Sequence, residues 1–246
     1  MKDNFSNQSD KYALFRPGYP PSLFESIAGL IPEKKLAWDC GTGNGQSAQH
    51  LAAFFENVYA TDISQKQIDQ APKINNIIYA IEPAEKTALA SNSVDLITVS
   101  QALHWFDFSL FYDEVKRVGK KDSKIVTWSY GLFSIDLTLD KLIAHYHFTT
   151  LETYWDKERQ YVNDAYKNLP FPFRRIPFPV FAIELMWNIE MESGFLNTWS
   201  ATQKFIQINK FNPVTNLMES IKTEWGDNNE MRKVTFPLYI LAGAVH

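Results

Sequence analysis

The stretch AWDCGTGNGQSAQHL, residues 37–51, sets glycines at 41, 43 and 45, where a short apolar run gives way to a helical pattern. Upstream, KLAWDC (35–40) has the length and apolar content of a buried strand. Downstream, Ala48, Leu51, Ala52 and Phe55 recur at helical spacing. A strand feeding a helix through alternate glycines leaves backbone amides bare at the helix N-terminus, with no side chain between them and a ligand. The same spacing also suits a plain tight turn, so the loop alone does not choose a ligand.

Outward from the loop the pattern repeats. NVYATD (57–62), IIYAIE (77–82), VDLITVS (94–100) and SKIVTWSYG (123–131) read as further strands, with helical stretches at 64–72 and 109–119. SLFESIAGLI (22–31) reads as an opening helix with Ser22 as its cap. Strands alternating with helices give βαβ units and a parallel sheet. The alternation breaks after residue 131, where an aromatic-rich stretch leads into LPFPFRRIPFP (169–179). Two late strands, VFAIELMWNIE (180–190) and VTFPLYILAGAVH (234–246), flank two helices, GFLNTWSATQKFI (194–206) and NPVTNLMESIKTEW (212–225). The expectation is an α/β, doubly wound, mostly parallel seven-stranded sheet with an antiparallel last strand and a mostly helical insertion after strand five. Residues 1–131 would form the ligand-binding core with an N-terminal segment. Residues 132–178 would form the insertion, a cap over the acceptor, and residues 179–246 the remainder of the core.

Composition narrows the classes. The 246 residues are 45% hydrophobic with a formal charge of -4, which gives no sign of nucleic-acid or membrane-surface binding. No apolar run reaches a membrane span of roughly 18 residues, and the polar N-terminus lacks a signal-peptide core, so a cytoplasmic protein is expected. The single cysteine, Cys40, rules out an internal disulfide and a cysteine-based zinc site, and no metal is expected.

The loop's spacing separates its rivals. The dinucleotide fingerprint G-x-G-x-x-G needs glycine at 46, where Gln46 stands, and a phosphate-cradling G-x-x-x-x-G-K-[ST] loop needs a lysine that is missing. S-adenosylmethionine has no phosphate and asks only for close backbone approach. Asp62 follows the loop by about 20 residues at the end of the second strand, where a carboxylate accepts hydrogen bonds from ribose hydroxyls. Capping the next helix jointly with Ser64 is the lesser alternative for Asp62. Tyr112 and Lys116, with Ser100 upstream, have the spacing of the catalytic set of short-chain dehydrogenases, but Ser47 and Gln49 stand where that family's loop needs glycine.

These residues resemble the class I, Rossmann-like S-adenosylmethionine-dependent methyltransferases. WDCGTGNG (38–45) looks like their first motif and TDIS (61–64) their second; PAEKTALASNSVDLITVSQALHWFD (83–107) resembles the run from the adenine site through strand four. The chain departs from the family at RVGKKDS (117–123), where R-V-L-K-P-G-G is usual. YALFRPGYP (12–20), HWF (104–106) and the T-W-S of residues 198–200 are similar to the trans-aconitate methyltransferase subgroup and related small-molecule methyltransferases. The resemblance implies cofactor contacts from Tyr12, Arg16, Asp39, Gly41, Thr42, Gly43, Asp62, Ile63, Ala84, Glu85, Ser100, Gln101 and Ala102. The bound cofactor would be S-adenosyl-L-methionine.

Methyl transfer from a sulfonium requires alignment and exclusion of water more than acid–base chemistry. A carboxylate acceptor, ionised at neutral pH, needs a cationic clamp and no base. Arg16 is the candidate clamp. His104 is the candidate orienting group or base, and Trp105, Trp128 and Tyr130 are candidate walls of the acceptor site at the strand ends. The leading expectation is O-methylation of a small carboxylic acid by a monomer or homodimer. The alternatives are C- or O-methylation of a phenolic or quinone-like ring, which would need a base such as His104, a cofactor-binding protein without transferase activity, and the dehydrogenase.

Overall fold

The computed structural model describes residues 15–246. Helix α1 (Pro21–Gly29) leads into β1 (Leu36–Cys40), α2 (Gln46–Leu51), β2 (Asn57–Asp62), α3 (Gln65–Ile68), β3 (Ile77–Ile81) and β4 (Val94–Ser100). A 3₁₀ turn at Leu103–Trp105 precedes α4 (Phe108–Val118), which runs directly into β5 (Gly119–Tyr130). Then come α5 (Leu137–His145) with single helical turns after it, α6 (Gln160–Asn163), β6 (Arg174–Arg175) and β7 (Ala182–Trp187). Helices α7 (Ile189–Asn197), α8 (Ser200–Asn209) and α9 (Pro213–Trp225) precede β8 (Arg232–Ala244).

The sheet has the order β3-β2-β1-β4-β5-β8-β6, with β7 also on β8. Strands β1 to β5 pair in parallel, and β8 is antiparallel to all its neighbours. Strand alternation divides the core between the two faces. Ala37, Leu96 and Val126 join one apolar cluster, which extends through Leu23, Phe24 and Leu51 to Phe195 and Phe236. Their sequence neighbours Trp38, Ile97 and Ile125 join the other cluster, with Phe111, Val115 and Tyr166.

The sheet has eight strands where seven were expected. Pro177 and Pro179 supply no backbone N–H, so the outer neighbour of β8 is cut in two. β6 lies against Gly243 and Ala244, and β7 against Arg232–Pro237. Other boundaries shift for equally local reasons. The first helix starts at Pro21, whose fixed φ suits a first helical position, so Ser22 lies inside it and caps nothing. The segment expected as one helix around T-W-S is two, because Trp199 adopts an extended backbone at the N-cap of α8. At the family departure RVGKKDS, Gly119 pairs at once with Val94, and the ladder then shifts register before Lys124 meets Leu96, so the segment between is taken up as a bulge within β5. Among the described residues no helix is long and apolar enough to cross a membrane.

Candidate active site

The loop between β1 and α2 lies at the C-terminal ends of the parallel strands, where open α/β sheets take ligands. Gly41, Gly43 and Gly45 have φ of 66°, 58° and 79°, a left-handed backbone that side chains disfavour. Their surroundings differ. A Cβ on Gly41 would lie 2.7 Å from the Cβ of Ala102, and one on Gly45 would lie 2.5 Å from the hydroxyl of Tyr79. A Cβ on Gly43 would meet only the Gln67 side chain, at 3.8 Å. Two glycines thus let the loop pack inward, and the third keeps its outer face open, which is the cradle a close backbone approach requires.

Two aspartates hold this loop. Asp39 is fully buried; Thr42 donates its hydroxyl to one carboxylate oxygen and Thr98 to the other, at 2.8 Å. Burial pushes the Asp39 carboxyl up to about 6, against the opposing pull of those two hydroxyls. Asp62 accepts the N–H of Gly43 on one oxygen and the N–H of Ser64 on the other, each at 2.9 Å. Ser64 itself accepts the N–H of Gln67 as the N-cap of α3. Asp62 thus stiffens the α3 entry and also reaches across to the glycine loop. Cys40 is buried, and burial pushes its thiol well up, away from nucleophile chemistry.

Beside the loop a narrow cleft, with about 40 Å³ of enclosed space, lies between the strand ends and the insertion. Arg16 enters from the N-terminal side. Its guanidinium donates to the Tyr130 hydroxyl and to the Thr198 carbonyl at 3.3 Å, and it lies 5.3 Å from the centre of the Phe195 ring. Arg159, on a 3₁₀ turn of the insertion, lines the same cleft, with its guanidinium 5.1 Å from the centre of the Trp155 ring. Two cations on aromatic supports thus face one aromatic-walled space.

His104 sits on the cleft wall, 4% exposed, with Nδ1 3.1 Å from the Tyr166 hydroxyl and its ring against Trp105. Burial, then the nearby Arg159 charge, lowers it to about 3. His147 lies behind Trp155 and Trp199, and neither ring nitrogen has a hydrogen-bond partner among the described residues. The same two causes lower it to about 3. Both imidazoles are neutral at physiological pH, so the charged groups lining the cleft are Arg16, Arg159 and Asp156, the last paired with Lys204 at 2.6 Å.

The structure brings Arg16, Gln101, His104, Trp105 and Tyr130 together around this cleft. It does not bring Trp128. That indole is fully buried one strand step below Tyr130, edge-on to Tyr19 and Phe24, because α1 covers it; its expected place on the acceptor wall is corrected. On the loop side, Thr42 donates its N–H to the Thr61 carbonyl, and Ser100 shares a 3.0 Å hydrogen bond with Ser47. Ala84 is buried, Ile63 half-buried, and Glu85 accepts the N–H of Asp107 at 3.1 Å. Tyr12 falls outside the described residues. The dehydrogenase set does not assemble, because the Tyr112 hydroxyl is committed to the Pro170 carbonyl and Ser100 to Ser47. Sequence reasoning missed Arg159 and Tyr79; a lone arginine in an irregular insertion and an alternating strand tyrosine carry no local signal.

A glycine cradle on a 3-2-1-4-5 parallel sheet closed by an antiparallel strand defines a Rossmann-like methyltransferase. The comparisons agree. The methyltransferase domain family matches residues 38–127. A Dictyostelium discoideum protein described as a methyltransferase is 35% identical, over 97% of this chain and 94% of its own length. A solved chain from Anaeromyxobacter dehalogenans, described as a type II methyltransferase, is also 35% identical, with a TM-score of 0.87 over 94% of this chain and 98% of that one. More distantly, a Haemonchus contortus phosphoethanolamine N-methyltransferase in complex with S-adenosylhomocysteine shares the fold at 15% identity and a TM-score of 0.51, over 97% of this chain and 57% of that one. The chain belongs to the class I S-adenosylmethionine-dependent methyltransferases.

Proposed function

We propose that this methyltransferase O-methylates a small carboxylic acid held in the cleft between Arg16 and Arg159. The observation that carries the reading is the pair of guanidinium groups facing a space whose nearest imidazole, His104, is uncharged and weakly basic. A phenolic acceptor would need a base whose pKa lies near working pH, and a histidine lowered to about 3 does not provide one. A carboxylate needs none. The resemblance to the trans-aconitate subgroup points the same way.

On the cofactor side, Gly41, Gly43 and Gly45 supply the close backbone approach, Asp62 the carboxylate for ribose hydroxyls, and Ala84 and Glu85 the flank of the adenine. The residues fit this group, since the outer face at Gly43 is open where a Cβ would otherwise intrude. Asp39, fully buried between Thr42 and Thr98, holds the loop from behind. S-adenosylmethionine, when bound, supplies an electrophilic methyl group on a sulfonium, and its transfer to a carboxylate leaves a methyl ester and a neutral thioether with no proton moved. The arginines bind and orient the anion, and Trp155, Trp199 and Phe195 exclude water from it.

The test is transfer from labelled S-adenosylmethionine to a panel of aliphatic and aromatic acids, with phenols alongside. Label is expected in base-labile esters, and Arg159→Gln should raise KM for the acid by about 10-fold or more, as loss of a charge-assisted hydrogen bond does. Methylation of phenols with none of the acids would refute the reading.

A further inference from the structure

The residues following β4 carry a feature that the methyl-transfer reading leaves unused. Gln101 has φ of 56°, a left-handed backbone in a residue other than glycine. Such conformations persist where the surroundings over-determine them, and they gather at functional sites. Here three contacts fix it. The Gln101 N–H donates to the Trp128 carbonyl at 2.9 Å, extending the β4–β5 ladder by one residue. On one side Ser100 is bonded to Ser47 in the first turn of α2, and on the other Ala102 packs against Gly41. Both sequence neighbours of Gln101 thus face the glycine loop, while its own side chain lines the acceptor cleft.

The carboxamide is oriented as well as placed. The buried Ser129 hydroxyl donates to Oε1 of Gln101 at 2.7 Å. The other branch, Nε2, is shielded from solvent and has no hydrogen-bond partner among the described residues. A shielded amide donor left unmatched by protein is matched when a ligand oxygen arrives.

We propose that Gln101 is an acceptor-positioning residue, whose Nε2 donates to an oxygen of the acceptor beside the glycine loop, and not a cofactor contact. This rests on the carboxylate reading above, because the amide N–H adds a third donor to the two guanidinium groups, while the Asp156 carboxylate on the same cleft is held by Lys204. The left-handed turn serves to send this one side chain away from the cofactor loop on which its neighbours pack.

The experiment is calorimetry of S-adenosylhomocysteine binding to the free protein, then of benzoate binding to the S-adenosylhomocysteine complex, an aromatic carboxylate being matched to the aromatic walls. Gln101→Glu keeps the shape and replaces the donor with a negative oxygen. It should weaken benzoate by at least tenfold and change S-adenosylhomocysteine affinity by less than twofold. Gln101→Asn tolerates the left-handed backbone but falls short of the cleft, and should weaken benzoate by about threefold or more, which keeps the proposal testable if the glutamate variant fails to fold. A tenfold loss of S-adenosylhomocysteine affinity with benzoate binding intact would overturn the proposal in favour of a cofactor role; so would no change in either. If the wild-type complex binds phenol and not benzoate, the carboxylate reading falls, and the same ratio measured with phenol decides Gln101 by itself.

Discussion

The three loop glycines differ in what surrounds them, and alanine at 43 and at 45 should therefore fail in different ways. At Gly45 the added methyl would meet the Tyr79 hydroxyl at 2.5 Å and two ring carbons at 3.1 Å, on a backbone with φ of 79°. The left-handed conformation costs a residue with a side chain about 1 kcal/mol, and forcing a packed neighbour aside costs about 1–3 kcal/mol. Gly45→Ala should then lose about 3 kcal/mol of stability, or roughly 6–12 °C in Tm for a chain of this size. At Gly43 only the backbone term of about 1 kcal/mol applies, because the nearest atom is in ordinary contact at 3.8 Å. The methyl there stands on the open face instead, so Gly43→Ala should weaken S-adenosylhomocysteine binding by at least about tenfold, the effect of roughly 1.4 kcal/mol. Urea denaturation and calorimetry on both variants, with Gly45→Ala repeated in a Tyr79→Ala background, read these terms separately. The double-mutant cycle should show at least about 1 kcal/mol of coupling, since the clash vanishes with the ring. Equal destabilisation by the two alanines, additive behaviour in the cycle, or unchanged ligand affinity in Gly43→Ala would each refute the division of roles.

The remaining predictions concern charge. Glu192 is fully buried in α7, neither of its side-chain oxygens has a hydrogen-bond partner among the described residues, and burial raises it to about 8. Its folded pKa lies above its unfolded value, so stability should fall as pH rises from about 4.5 through 8; Glu192→Gln should flatten that slope and be the more stable form at pH 9 in urea titrations. His104 and His147 are shifted the opposite way for a base, so stability should drop as pH falls from about 6.5 toward 3, and neither ring should titrate by NMR between pH 5 and 8. A titration of either near 6.5 would remove the argument against a histidine base. Asp62→Ala removes the acceptor for the Gly43 and Ser64 amides, so S-adenosylhomocysteine affinity should fall by more than tenfold in calorimetry.

What the sequence disclosed follows from how local each determinant is. Gly41, Gly43, Gly45 and Asp62 were legible because they act on their own backbone or at a strand end, and the parallel core was legible from alternating short apolar and helical runs. Arg159 was not, because its importance depends on a turn of the insertion placing it on the same cleft as Arg16, a relation with no sequence period. Trp128 and Tyr130 illustrate the same limit within one strand. Both are aromatic and two residues apart on one face, yet α1 covers the first and leaves the second beneath Arg16. The lowering of His104 is equally non-local, since the Tyr166 ring beside it and the Arg159 charge that adds to burial both lie more than 50 residues away.

The broken outer neighbour of β8 also bears on how the protein behaves at high concentration. A sheet margin recruits foreign strands when it offers a continuous row of unpaired amides and carbonyls. Past β8 that row is interrupted: β6 is only two exposed arginines long, and Pro177 and Pro179 separate it from β7. The opposite margin has no such interruption, since β3 runs for five residues with Ile78 58% and Ile81 51% exposed. The continuous stretches left are short, five residues in β3 and six in β7, and charge introduced at Ile78 or Ile81 of β3 should lower self-association without touching the cleft.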